Sequence, residues 1–177
     1  MAGSTLKIED ARFILTLDGT RRIIENGSIL IGDGTIKQSD KASVMQAVPA
    51  DRVIPGRDMV VTPGFFNNHM HISYAHAVRG IFPDNLDPTI YLGHVFTLQQ
   101  AMTEEDEYWT SLLGITELVK YGTTCFLDPG STKFLDRCLE AYSKSGVRIV
   151  VGDSVVDRPN PLKSPVSTTA EAVRRMQ

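Results

Sequence analysis

The chain has 177 residues, 42% hydrophobic and 22% charged, with a formal net charge of −3 and a pI near 5.8. That composition is ordinary for a soluble globular protein, and its mild acidity excludes nucleic acid or an anionic membrane as the main partner. No stretch approaches the roughly 18 apolar residues of a membrane span. The opening residues Met-Ala-Gly-Ser-Thr-Leu-Lys-Ile-Glu-Asp lack the apolar run of a secretory signal. Cys125 and Cys138 make no disulfide framework, so the expectation is a cytoplasmic protein with reduced, packed thiols.

Residues 4 to 62 read as β structure. Leu6-Lys-Ile8 alternates, and Ala11-Arg-Phe-Ile-Leu15 is apolar enough for a buried strand. Asp33-Gly34 between two alternating runs predicts a two-residue hairpin. Gly32-x-Gly34 is no phosphate loop, because no helix-forming segment follows it. Val53-Ile54 and Met59-Val-Val61 flank Gly56-Arg57-Asp58, which reads as a turn. Together these segments predict a small β-sandwich or open β module.

From residue 63 the rhythm changes to strands alternating with helices. Phe65 to His71 reads as a strand, entered through the sharp bend that Pro63-Gly64 permits. A long excursion follows, with turn signals at Arg79-Gly80 and Pro83-Asp84-Asn85 and helix from Ile90 to Gln100. Thr103-Glu-Glu-Asp caps the next helix, whose apolar residues are Leu112, Leu113, Ile115, Leu118 and Val119 and whose stop is Gly122. Thr123 to Leu127 is a second strand, ending at Asp128-Pro-Gly. Ser131 is placed to cap a helix to Ser145, with Phe134, Leu135, Cys138 and Leu139 on one face and Gly146 closing it. Val147 to Val151 is a third strand, followed by a proline-rich loop. A Thr168-Thr-Ala-Glu171 capping box then opens a helix to Gln177. This order predicts parallel βαβ units, in a doubly wound sheet or in the first part of a (β/α)8 barrel.

His69 and His71 lie one residue apart. In an extended strand residues i and i+2 share a face, so both imidazoles point one way and Met70 the other, as two ligands of one metal ion should. Histidine is the commonest metal ligand among side chains, although a bare His-x-His also describes an ordinary surface or core pair.

Thr62-Pro-Gly-Phe-Phe-Asn-Asn-His-Met-His71 after a small β module, with Arg79-Gly80, the acidic turn at Asp84 and Gly122-Thr-Thr-Cys-Phe-Leu-Asp128 in order behind it, resembles the opening of the amidohydrolase superfamily. More narrowly it is similar to the branch with cytosine deaminase, S-adenosylhomocysteine deaminase and the triazine hydrolases. The resemblance implies an α/β fold: residues 1–62 would be the N-terminal part of a β-sandwich domain, and residues 63–177 the first three βα units of a (β/α)8 TIM-type barrel. His69 and His71 would be two ligands of one divalent transition metal, zinc by default, with cobalt, manganese or iron also open. The family's remaining ligands and its catalytic aspartate have no counterpart here, so no catalytic residue is assigned in this chain. His76 reads as a solvent or loop histidine, weighed against a place near the barrel mouth, and His94 is weighed in the same way, as a residue on a helix.

The resemblance further implies an N-terminal portion of a larger enzyme, active only with a C-terminal part as a separate chain or fragment. Exposed sheet edges and apolar surface would favour aggregation or tight pairing with that complement, and a homo-oligomer is expected as well. The expected chemistry is attack of an activated water on a C–N bond of a small amide, urea or carbamate. Deamination or dechlorination of an aminated N-heterocycle is the alternative, and a non-catalytic binding or assembly module is a reading of another class. Arg79, Phe82, Tyr91 and Phe96 are candidates for the substrate wall, weighed against core packing for the aromatics and a structural ion pair for Arg79.

Overall fold

The computed structural model describes residues 4–83, 85–130, 132–159 and 166–176. It divides after Pro63 into two compact units. The expectations resting on Asp84, Ser131, Gln177 and the proline-rich stretch 160–165 lie outside the described residues.

The first unit is a sheet of five strands in the order β3-β2-β1-β4, with β5 also on β1. The runs Leu6–Ile8 and Ala11–Leu15 form one strand, β1 (Thr5–Leu15). Its pairing to β2 (Ile23–Gly32) shifts register between Ile8 and Ala11. Asp10 takes φ 58° there, and its amide donates to Ser28 Oγ at 3.2 Å. This is a bulge, with the extra residue bonded to a side chain instead of the ladder. The hairpin to β3 (Thr35–Lys41) turns at Asp33 and Gly34, with φ 50° and 70°, the paired positive values of a type I′ turn. A short α1 (Ala42–Met45) follows. β4 (Arg52–Pro55) and β5 (Val60–Val61) both run parallel to β1, so Gly56-Arg57-Asp58 offsets the chain along β1 without reversing it. Ala11, Ile14, Ile24 and Ile29 form the unit's buried core.

In the second unit β6 (Phe65–Asn67), β7 (Thr123–Asp128) and β8 (Arg148–Val151) form a parallel sheet in sequence order. β6 ends at Asn67, well short of the expected strand to His71. A helix, α2 (Ile72–Val78), stands where only an irregular excursion was expected. Its N-cap residue, His71, makes no side-chain cap bond, so no start signal marked it. α3 (Pro88–Ala101) begins two residues earlier than expected, with Asp87 accepting from the Thr89 amide and proline in the first turn.

α4 (Glu104–Lys120) opens on the predicted Thr103 cap, a full box with Asp106. Its buried stripe is Tyr108, Ser111 and Ile115, while Leu113 and Val119 face outward. α5 (Leu135–Ser145) buries Cys138, Ala141 and Tyr142, and Leu139 lies off that stripe at 39% exposure, contrary to expectation. Gly146 closes α5 in the left-handed region as expected. α6 (Thr169–Arg175) has the predicted Thr168–Glu171 box. Ile72, Tyr108, Ile115, Phe126, Cys138, Ala141 and Tyr142 make one core beneath the sheet's helices.

Candidate metal centre

Three backbone constraints hold the two histidines where the chain leaves β6. The His69 amide donates to Asn67 Oδ1 at 3.1 Å, turning the chain off the strand. The Met70 amide donates to the Leu127 carbonyl at 2.9 Å, tying the loop to β7. His71 is the N-cap residue of α2, and its carbonyl accepts from Ala75 at 3.2 Å. The pair therefore sits past the carboxyl end of a parallel strand, on an anchored turn and not on the strand itself.

The two rings nevertheless converge. His69 Nε2 and His71 Nε2 are 3.1 Å apart, with ring planes at 83°. Two nitrogens held about 2.0–2.1 Å from a tetrahedral zinc would be roughly 3.3 Å apart, so the spacing fits a shared cation. His71 stacks on Tyr74, 5.4 Å between centroids and 19° between planes. Its Nδ1 is buried without a hydrogen-bond partner. Burial first, and His69 second, push the His71 pKa below the ordinary 6.5, while Asp128 pulls it back. A neutral imidazole with a free lone pair is the form that binds metal. Among the described residues no group of three or more His, Cys, Asp or Glu side chains is arranged to hold an ion, so the donors present are two imidazoles.

Asp128, at the end of β7, is 1% exposed. Its carboxylate accepts from Tyr142 Oη at 2.5 Å and from the Gly130 amide at 2.9 Å. Gly130 has φ +81°, and a Cβ there would come within 2.1 Å of the Gly152 carbonyl oxygen. The turns after β7 and β8 are laced by bonds from Gly152 to the Asp128 carbonyl (2.8 Å) and from Ser154 to that of Gly130 (3.1 Å).

The expected substrate-wall residues fall into separate groups. Arg79 reaches Glu117 at 2.6 Å, and His76 Nε2 contacts the same oxygen at 2.9 Å. Arg79 first, then His76, hold the Glu117 carboxyl below its usual range. These three, with Met70, Gly114, Leu118 and Tyr121, line a cleft of about 370 Å³. His76 is thus a buried helix residue and not a loop or solvent histidine; its side chain is 6% exposed. Phe82 packs edge-on to Tyr91 (6.2 Å) and stacks on His94 (5.3 Å), beside the core of Tyr74, Val78, Val95 and Met102. Phe96 is half-buried on α3. Tyr74 and Tyr142 carry no signal in the sequence, and Asp128 stands there only as the end of the Gly122–Asp128 motif. The Asp128-Pro-Gly signal read as a turn, and helical spacing alone does not reveal which tyrosine reaches a carboxylate.

Paired imidazoles beyond the carboxyl end of a parallel strand stand where α/β enzymes keep their chemistry. The chain belongs to the amidohydrolase family, whose defining pattern matches residues 60–176. A 5-methylthioadenosine/S-adenosylhomocysteine deaminase of Desulforamulus reducens is 33% identical over 145 residues, covering 81% of this chain and 33% of that protein. A 5′-deoxyadenosine deaminase of Methanosarcina barkeri is 30% identical over 152 residues, covering 85% and 34%. The chain thus spans about a third of the length of these relatives. Among solved structures, the atrazine chlorohydrolase of Arthrobacter aurescens complexed with zinc superposes with TM-score 0.78 at 22% identity, over 96% of this chain and 41% of that one. The guanine deaminase of E. coli does so with TM-score 0.69 at 20% identity, over 99% and 41%. These two likenesses establish the mixed α/β fold.

Proposed function

We propose that residues 64–177 open the (β/α)8 barrel of a metal-dependent hydrolase, with His69 and His71 as two ligands of its cation. The convergence of the two Nε2 atoms at 3.1 Å carries this reading. A divalent cation bound there would supply Lewis acidity and lower the pKa of its water. The chain's own residues bind and orient. His69 and His71 present their Nε2 atoms, the Met70–Leu127 bond fixes the turn between them, and Tyr74 holds the plane of the His71 ring. Zinc is the first candidate, being the ion named with the chlorohydrolase structure.

The reaction we favour is hydrolytic deamination of an aminated ring of a small molecule: water adds to the carbon bearing the amino group, the C–N bond breaks, and ammonia leaves. The names of the curated relatives, deaminases of adenosine derivatives, support it over hydrolysis of an amide, urea or carbamate. Activity on this reading needs further chain of the kind those longer relatives contain, in the same polypeptide or in a partner. Two buried, unpaired cysteines suit the cytoplasm, and no helix among the described residues is long and apolar enough to cross a membrane.

Metal analysis of the purified chain tests the ligand pair. About one divalent ion per chain is expected, lost in His69→Ala and in His71→Ala. Full metal content in both variants would overturn the assignment. Ammonia release from adenosine-type nucleosides by the protein assembled with its remaining part tests the reaction; release from amides or ureas alone would move the assignment to them.

A further inference from the structure

The two imidazoles of the centre belong to different elements. His69 is held to the strand, through its amide bond to Asn67 at the end of β6. His71 is the head of α2, whose first bond runs from the Ala75 amide to the His71 carbonyl. The Met70–Leu127 bond fixes the turn between them, and the freedom that remains is the tilt of α2. That helix has seven residues and no side-chain N-cap bond, against the about 12–15 residues that an isolated helix needs to persist in water. Its orientation is set from outside, by one face of α4. Thr110, Gly114 and Glu117 share that face, at helical spacings of four and three. The Thr110 hydroxyl donates to the Ser73 carbonyl. A Cβ on Gly114 would come within 2.6 Å of Ile72 Cδ1 and 3.1 Å of His76 Nδ1, so even a methyl group there needs α2 or its side chains to give way. One oxygen of Glu117 meets His76 Nε2 at 2.9 Å and the Arg79 guanidinium at 2.6 Å, at the far end of α2. Glu117 and Arg79 are 36% and 58% exposed, and so open an ion pair contributes little to stability. What it does fix is geometry, because a single carboxylate oxygen anchors two positions of a helix too short to hold itself.

We infer that Glu117 is a positioning residue for the metal centre: by gripping His76 and Arg79 it fixes the tilt of α2 on α4, and with it the place of His71 Nε2 opposite His69 Nε2. It acts through α2 and not on the imidazoles themselves. A nitrogen displaced by about 1 Å no longer meets the zinc–nitrogen distance of about 2.0–2.1 Å, so a helix loosened at its far end weakens the pair at its head. The inference goes beyond the ligand reading of His69 and His71 and rests on it for its purpose.

The test uses the full chain, wild type beside Glu117→Ala, Glu117→Gln, Gly114→Ala, Thr103→Ala and His71→Ala. In metal-free protein the nuclear Overhauser contact between the His69 and His71 rings, whose centroids are 4.8 Å apart, reads the convergence directly. That contact should weaken in Glu117→Ala. Zinc affinity should fall about tenfold in the same variant, the lower end of the range for groups that orient metal ligands. Glu117→Gln keeps an oxygen for His76 and Arg79 and should restore both readouts. Gly114→Ala removes no bond but crowds Ile72 and His76, and it should lower both in the same direction, which keeps the test open if Glu117→Ala fails to fold. Thr103→Ala destabilises the start of the same helix without touching α2 and should leave both unchanged. An unchanged ring contact or wild-type zinc affinity in folded Glu117→Ala overturns the inference. Equal losses in Glu117→Gln, which assign the effect to charge, or in Thr103→Ala, which assign it to stability, overturn it too. Zinc binding that survives in His71→Ala instead sinks the ligand reading, and the ring contact in metal-free protein still decides whether Glu117 positions α2.

Discussion

Glu107 is fully buried on α4 and accepts from the amides of Lys133 (3.0 Å) and Phe134 (2.8 Å). Phe134, the N-cap residue of α5, offers no side-chain bond of its own, so a carboxylate from another helix serves the amides at the helix start and favours the positive end of the dipole. Replacing it with alanine leaves two part-buried amide donors without their acceptor. Glu107→Ala should cost about 3 kcal/mol, and Glu107→Gln, which keeps one acceptor, about half of that; urea denaturation measures both. His71 makes a pH prediction. Its folded pKa lies below the ordinary 6.5, chiefly through burial, so the unfolded chain binds the proton first. The associated stability is present above pH 6.5 and is lost as pH falls through the lower folded pKa. The melting temperature of the metal-free chain should drop as pH falls from 6.5 toward that lower value, less steeply in His71→Ala, as thermal scans across pH would show.

Helix α4 is the element on which the second unit is assembled. Thr103 and Asp106 close its capping box, its buried stripe faces the central core, and Glu107 projects from its first turn to start α5. Thr103→Ala should therefore cost about 1 kcal/mol, and it should weaken the start of α5 as well; hydrogen exchange at the amides of residues 133–138 reads that coupling. The turn after β7 makes a second element-level case. Gly130 combines a left-handed φ with a carbonyl 2.1 Å from any added Cβ. Gly130→Ala should destabilise by more than the ~1 kcal/mol of the conformational term alone, and should separate the turns after β7 and β8; calorimetry measures the first effect and NMR of Ser154 the second.

For the molecule as a whole, apolar surface is the outstanding property. Phe65 and Phe66 on β6 are 58% and 72% exposed, Val150 on β8 is 59%, and Tyr121 after α4 is 80%. Among the described residues β6 pairs on one side only, with β7. An open parallel edge carrying two phenylalanines invites association. The isolated chain should form concentration-dependent oligomers in analytical ultracentrifugation, reduced by Phe66→Lys; a monomer at all concentrations would refute this.

How much of this could be read beforehand depends on the range of the forces involved. The Asp33-Gly34 hairpin, the Thr103 and Thr168 boxes, the Gly146 stop and the residues of β7 and β8 are set by neighbours within a few positions, so local propensity determined them. The spacing His69-x-His71 carried the same kind of information, and the amidohydrolase resemblance built on it held. The short β6, the helix α2 beginning at a residue with no capping bond, and the outward-facing Leu139 came from packing against distant segments. So did the groupings that give the centre its character. That the imidazoles meet on a turn tied to Leu127, and that Arg79 and His76 share Glu117, depends on partners up to about sixty residues apart. Sequence alone singled out the pair His69 and His71. The tertiary structure decided how they are held, because convergence of side chains is a property of the assembled sheet and helices, and no local preference encodes it.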